Sequence, residues 1–289
     1  MGFSRISILG VGLLGGSVGL AAKSILNGCK IVGYGHRAAT LETALEIGAI
    51  DEAQSDPAAA VNNADLVILA TPVGVFEQTL KSISSALSPD VIVTDVGSTK
   101  RSVVELAEKL LPKKTHFVGS HPMAGSEKRG IDFAKPDMFQ NNVCITTPSR
   151  RTSRKALEAV EQFWRTLGMS IVRLSPDEHD RLLADVSHLP HALAACLVSM
   201  QSEKALELAG KGFLDTTRIA AGDGSLWRDI LLDNRDNLRA ALGRLRQRLG
   251  DLEKLLDQGK REELAKWLHQ AAERRRQVLE RKLREVNPD

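Results

Sequence analysis

A chain of 289 residues with 43% hydrophobic side chains can bury a substantial core, and at roughly 100–200 residues per domain its length favours two domains. Lysine and arginine number 39 against 36 aspartate and glutamate, a net charge of +3, and no aromatics interleave with basic runs, so no nucleic-acid partner is expected. No apolar stretch approaches the ~20 residues that span a bilayer and the opening residues carry no small-residue cleavage site, so a soluble, cytoplasmic protein without a membrane segment is expected.

Up to about residue 174, short β-branched runs alternate with helical stretches: Arg5–Leu9, Lys30–Tyr34, 66–70, 91–94, 116–118, Val143–Thr147 and 170–174. This alternation predicts an α/β fold, a Rossmann-type doubly wound and mostly parallel sheet covered by helices over residues 1–174. The first strand leads into Gly10-Val-Gly12-Leu-Leu-Gly15-Gly16, followed by a helical stretch at 17–26. Strand, glycine turn and helix in that order make a phosphate-binding turn. Gly10 permits the tight bend, Gly12 lets the backbone approach a pyrophosphate, Gly15 lets the helix pack on the strand, and the helix start offers free N–H groups.

A site that selects NAD places a carboxylate about twenty residues further on, at the end of the second strand. Here that strand ends Gly33-Tyr34-Gly35-His36-Arg37. Gly35 stands where the acid is expected, and Arg37 can form charge-assisted bonds to a 2′-phosphate, so NADP is favoured, with NAD the alternative. With Leu13 and Leu14 of the turn, His36 beside Arg37, and Thr71 and Pro72 after the third run, these residues make up the expected cofactor site. The run Asp65-Leu-Val-Ile-Leu-Ala-Thr71 is apolar on both faces and belongs in the middle of the sheet.

Ser175-Pro176-Asp177-Glu178 is a helix-start signal, and strand-like runs vanish after it, which predicts an all-helical domain over 175–289. Leu238, Leu242, Leu245, Leu249, Leu252 and Leu256 recur at spacings of four and three along one helix seam. That stripe must be buried, inside a helical bundle or at a subunit interface. Cys29, Cys144 and Cys196 are far apart in sequence and read as reduced packing residues. No metal-type spacing is present, and none is expected of Asp185 with its neighbouring histidines.

Four further segments follow in order: Asp95-Val-Gly-Ser98-Thr-Lys100, Gly119-Ser-His121-Pro-Met-Ala-Gly-Ser126-Glu127, Ser187-His188-Leu-Pro-His191, and Asp215-Thr-Thr-Arg218-Ile-Ala with Leu226-Trp227-Arg228-Asp229. With the glycine turn, their order and spacing resemble the prephenate and arogenate dehydrogenase family of tyrosine biosynthesis over nearly the whole chain. The resemblance implies oxidation and decarboxylation of a cyclohexadienyl acid with hydride transfer to a nicotinamide dinucleotide. It makes His121 the base that accepts the proton of the ring hydroxyl, with Ser98 bonded nearby. It gives Arg218 the ring carboxylate, where a planar fork orients better than a lysine; an ion pair with Asp215, three residues away, is the plain structural alternative. His188 and His191 bind and orient the substrate side chain in the family, although their spacing also fits two histidines inside a helical core with Pro190 between them. Ser126, Glu127 and Trp227 match family positions near the substrate, and a homodimer through the helical domain is expected.

Two departures stand out: Gly35 in place of the acid, and an end at Asp289 that leaves no room for the regulatory amino-acid-binding domain of some relatives. Prephenate carries a keto group where arogenate carries an ammonium. Relatives that prefer arogenate tend to have an acid after the strand resembling Val143–Thr147, whereas this chain reads Thr147-Pro148-Ser149-Arg150-Arg151. Arginines facing the pocket would repel an ammonium, so prephenate is the expected substrate and arogenate the alternative.

Overall fold

The protein, seen in a computed structural model that describes residues 2–125 and 128–286, is built on one eight-stranded sheet. Its strands are β1 (Arg5–Leu9), β2 (Lys30–Tyr34), β3 (Glu52–Gln54), β4 (Leu66–Leu69), β5 (Ile92–Asp95), β6 (His116–Pro122), β7 (Val143–Thr147) and β8 (Ser170–Arg173). They lie in the order β3-β2-β1-β4-β5-β6-β7-β8. All neighbours are parallel except β6 and β7, so six strands form the doubly wound Rossmann order and two extend it past an antiparallel seam. Every side chain of β4 is buried, as a central strand covered on both faces requires. One apolar cluster joins Ile8, Val18 and Ile68 to Phe139, Phe163 and Trp164, and a second gathers Leu9, Val67, Phe76 and Val93.

The strand order reverses beside β1, so β1 and β4 open a crevice at their carboxyl ends. Gly10 follows β1 with φ of +109°, and a Cβ there would stand 2.8 Å from the Ala70 carbonyl carbon, so only glycine lets the turn pass. A Cβ on Gly15 would meet the Gly10 carbonyl oxygen at 2.0 Å, which seats the helix Leu13–Ile25 directly on the turn. That helix begins four residues earlier than the predicted 17–26, because glycines that look like turn residues are its close-packing face.

The predicted helix start at Ser175 is present: its hydroxyl accepts from the Glu178 N–H, and Pro176 opens helix Pro176–Leu183. That helix continues through a π-helical segment, Ala184–His188, into Leu189–Ser199. Pro190 lacks the N–H an unbroken α-helix would use, and the widened turn just before it takes up the mismatch. The whole of Pro176–Ser199, 24 residues, is long and apolar enough by length and composition to cross a membrane, so the expectation that no stretch approaches that size is corrected. His179, Asp180, His188 and His191 along it are buried.

Contacts divide the chain into two units, Met1–Arg235 and Asp236–Asp289, a division later than the change of pattern at 174/175. The helices in between belong to the first unit because they bond to it: the Asp180 carboxylate accepts from the Lys100 and Arg101 N–H groups, and Ser102 donates to Asp233. The described residues of the second unit form the helices Arg235–Asp257, from its second residue on, and Arg261–Val286, joined by a short turn. The leucine stripe is buried at Leu238 but exposed at Leu249 and Leu256, so within this one chain the expectation of full burial fails towards the stripe's far end.

Candidate active site

Two adjoining cavities in the first unit share Ser98, Ala124, Gly125, Lys128 and Trp227 and form one cleft. The larger, about 720 Å³, is lined by Gly10, Gly12, Leu13, Leu14, His36, Arg37, Thr71 and Pro72, together with Arg218, His191 and Trp227. All the expected cofactor residues line it except Gly15, which packs helix on strand beneath the turn. A dinucleotide fits on two observations: a Cβ on Gly12 would meet nothing within 4 Å, and the buried Thr71 hydroxyl oxygen has no partner among the described residues. Arg37 is exposed at the mouth beyond β2, next to His36, whose ring lies within 3.2 Å of the Tyr34 hydroxyl.

The smaller cavity, about 590 Å³, contains Ser98, His121, Lys128, Lys135, Ser187 and Trp227 in its wall. His121, near the end of β6, is buried, and its Nδ1 lies 2.9 Å from Nε2 of His179. His179 Nδ1 in turn lies 2.8 Å from the Asp180 carboxylate. Ser98 shares the wall with His121, but the bonded neighbour of His121 is His179. Burial, helped by the nearby Lys100 ammonium, holds the His121 imidazole well below its ordinary pKa and therefore neutral. Burial also lowers His179 and His191, and pushes His188 down to about 4.

His191 stacks on Trp227 with ring centroids 3.5 Å apart and planes within 10°. Nε2 of His188 and Nδ1 of His191 are buried without a hydrogen-bond partner among the described residues. Beneath the site, Lys100 is fully buried against Asp95, whose carboxylate also accepts from the N–H groups of Gly97 and Ser120. Arg218 is an exposed residue of the larger cavity's wall, whereas Asp215 lines neither cavity. Ser126 and Glu127, expected beside the substrate, lie outside the described residues.

Arg150 and Arg151 line neither cavity; Arg151 pairs instead with Glu108 at 3.7 Å. The repulsion expected of them against an ammonium is therefore absent from the site. His179 and Asp180 were missed by sequence reasoning, which took their stretch only as a helix start. Their one signal was a histidine and an acid adjacent just behind the two acids of the first turn, Asp177 and Glu178.

A glycine turn at the switch point of a doubly wound sheet, opening into a cleft with a buried neutral histidine, defines a dinucleotide-dependent dehydrogenase. Residues 18–173 match the prephenate dehydrogenase nucleotide-binding domain, and residues 175–270 match the prephenate dehydrogenase dimerization domain. The chain belongs to the prephenate dehydrogenase family. It is 40% identical over 243 residues to a prephenate dehydrogenase of Bacillus subtilis, covering 81% of this chain but 65% of that protein. It is 34% identical to a cyclohexadienyl dehydrogenase of Zymomonas mobilis, covering 88% of this chain and 87% of the relative. A prephenate dehydrogenase from A. aeolicus, solved with hydroxyphenyl propionate and NAD+, superposes with a TM-score of 0.90 at 33% identity, covering 96% of this chain and 99% of that one.

Proposed function

We propose that this chain is a cytoplasmic prephenate dehydrogenase that prefers NADP, with His121 as its general base. The observation that carries the reading is a histidine held neutral by burial, one nitrogen spent on His179, in the wall of a cavity continuous with the glycine-turn cleft. A neutral imidazole accepts the proton of the ring hydroxyl without first having to lose one. As that O–H bond breaks, the carbon bearing it becomes a carbonyl-like centre and gives up its hydride; loss of the ring carboxylate as carbon dioxide then returns an electron pair to the ring and makes it aromatic. The nicotinamide, when bound, supplies the hydride acceptor. Arg218 orients a substrate carboxylate from the wall shared with His191 and Trp227, and the stacked His191–Trp227 pair gives the ring a flat surface.

Preference for NADP rests on Gly35 in place of the ribose-binding acid and on Arg37 at the cavity mouth. Arogenate is the second reading, favoured by the cyclohexadienyl dehydrogenase among the relatives. The division of labour at 174/175 is retained as a functional one, with dinucleotide binding before it and substrate binding and association after it. Association as a homodimer is supported by the dimerization-domain match and by exposed Met200, Leu208, Leu232, Leu249 and Leu256 in the helical half. Sedimentation showing a monomer at micromolar concentration would exclude the dimer. The activity is tested by following reduced-cofactor absorbance with prephenate or arogenate, each paired with NADP or NAD; no turnover with either acid would end this reading.

A further inference from the structure

Asp180 serves two histidines at once, one through its side chain and one through its main chain. Its carboxylate accepts the N–H groups of Lys100 (2.8 Å) and Arg101 (3.0 Å) at the start of helix Arg101–Leu110. Burial works against the charge, but the bonds from His179 and from these two N–H groups outweigh it and keep the carboxyl below its usual range, hence ionised. An ionised carboxylate only accepts, so His179 carries its hydrogen on Nδ1. A neutral imidazole has a single N–H, which leaves a lone pair on His179 Nε2. His121 Nδ1, 2.9 Å away, must then be the donor. The same rule leaves Nε2 of His121 unprotonated, and that is the nitrogen able to act as a base.

The second branch runs through Asn234. Its amide nitrogen lies 2.6 Å from the Asp180 main-chain oxygen and 3.0 Å from His188 Nδ1. A carbonyl oxygen only accepts, so the amide nitrogen is the group that faces it, and its second hydrogen goes to His188 Nδ1. With Nδ1 accepting, neutral His188 carries its hydrogen on Nε2, a buried atom without a partner among the described residues.

Resting on the functional reading above, we propose that His179, Asp180 and Asn234 are positioning residues that fix opposite tautomers in two buried histidines: His121 of the cavity wall, with its basic Nε2 free to react, and His188, whose ring lies edge-on to Trp227, as an Nε2–H donor. The network also carries a proton. When His121 Nε2 takes the hydroxyl proton, the His121 Nδ1–H bond breaks and a His179 Nε2–H bond forms. Positive charge then leaves the cavity wall for the ion pair of His179 with Asp180. The charged and titratable groups around this path are Asp95 at the end of β5, Lys100 from the segment after it, and His188 from the π-helical segment.

His179→Leu and His179→Gln test this with prephenate and NADP, alongside imidazole nitrogen NMR of the unaltered protein. His179→Leu should lower kcat by about 10–100-fold, less than loss of the base itself, with KM nearly unchanged. The acidic limb of kcat/KM should move to lower pH, since the His121 imidazolium loses its acceptor. Glutamine keeps an acceptor for His121 but cannot pass a proton on, so it should restore the limb while recovering kcat only in part. The spectra should show an Nδ1–H tautomer at His121 and an Nε2–H tautomer at His188. Unchanged kcat and pH profile in His179→Leu, a limb that moves to higher pH, or an Nε2–H tautomer at His121 would each overturn the proposal. Absence of turnover in the unaltered protein would instead end the functional reading, and the spectra would still decide the tautomers.

Discussion

The two ends of the cleft use polar groups in opposite ways. At the His121 end, His121, His179, His188 and His191 are buried, and bonds to Asp180 and Asn234 decide which nitrogen carries each hydrogen in three of them. At the other end, Arg37 and His36 are exposed beside an open glycine turn. Desolvation makes an unpaired polar atom costly, so each group at the buried end has one workable state, and removing one disturbs its neighbours. In water, charges are screened and groups act nearly independently. Single substitutions should therefore cost orders of magnitude at the first end and far less at the second.

The largest effect should follow His121→Asn. It should lower turnover by about 10²–10⁴-fold, the usual worth of a positioned base, while cofactor binding persists because the glycine turn is untouched. Near-normal turnover would place the base elsewhere and remove the contrast between the two ends.

Next in size is a pH effect on stability. Burial depresses His188 to about 4, and His121, His179 and His191 are shifted the same way. The unfolded chain takes up these protons near the ordinary histidine value of about 6.5, before the folded chain does, so stability is full above that pH and falls as pH drops towards 4. By linkage the lowered pKa of His188 alone corresponds to about 3 kcal/mol across that window. A melting temperature constant between pH 7 and pH 5 would contradict it, and His188→Gln should flatten the curve.

The same contrast explains what could be read from the residues alone. Strands β1, β2 and β7 have the predicted bounds, because local propensity and burial pattern agree there. Strand β3 was missed: Glu52-Ala53-Gln54 is three residues long at the sheet edge, without an apolar face. His121, His188 and Trp227 were singled out by resemblance of their segments. His179 and Asp180 were not, since what gives them meaning is the meeting of two elements 58 residues apart in sequence. Arg150 and Arg151 failed for the converse reason: their place after β7 is local information, and their direction is not.

At the exposed end, Arg37→Ala should weaken NADP by about ten-fold, the low end of the range for a charge-assisted bond because the side chain stands in water, and should leave NAD unchanged. Binding measured for both cofactors decides it. Equal losses for NADP and NAD would mean that Arg37 supports the shared part of the dinucleotide.

The smallest expected effect is the choice between two acids that differ by one group. With Arg150 and Arg151 away from the cleft, the charge around His121 is set by other residues, and among the described residues of that cavity wall Lys128 and Lys135 are present without any aspartate or glutamate. Asp223 belongs to the neighbouring cavity and is already paired with Arg129. A cationic wall suits the two carboxylates that both acids carry but disfavours the ammonium that only arogenate adds. Prephenate should therefore have the higher catalytic efficiency under one saturating cofactor. Both lysines have water on one side, so each charge contributes roughly 1 kcal/mol or less and the preference should be several-fold. Lys135→Glu should narrow or reverse it by adding the missing acid. A clear preference of the unaltered protein for arogenate would show that the ammonium finds a carboxylate from another direction, and that the cationic wall does not govern the choice.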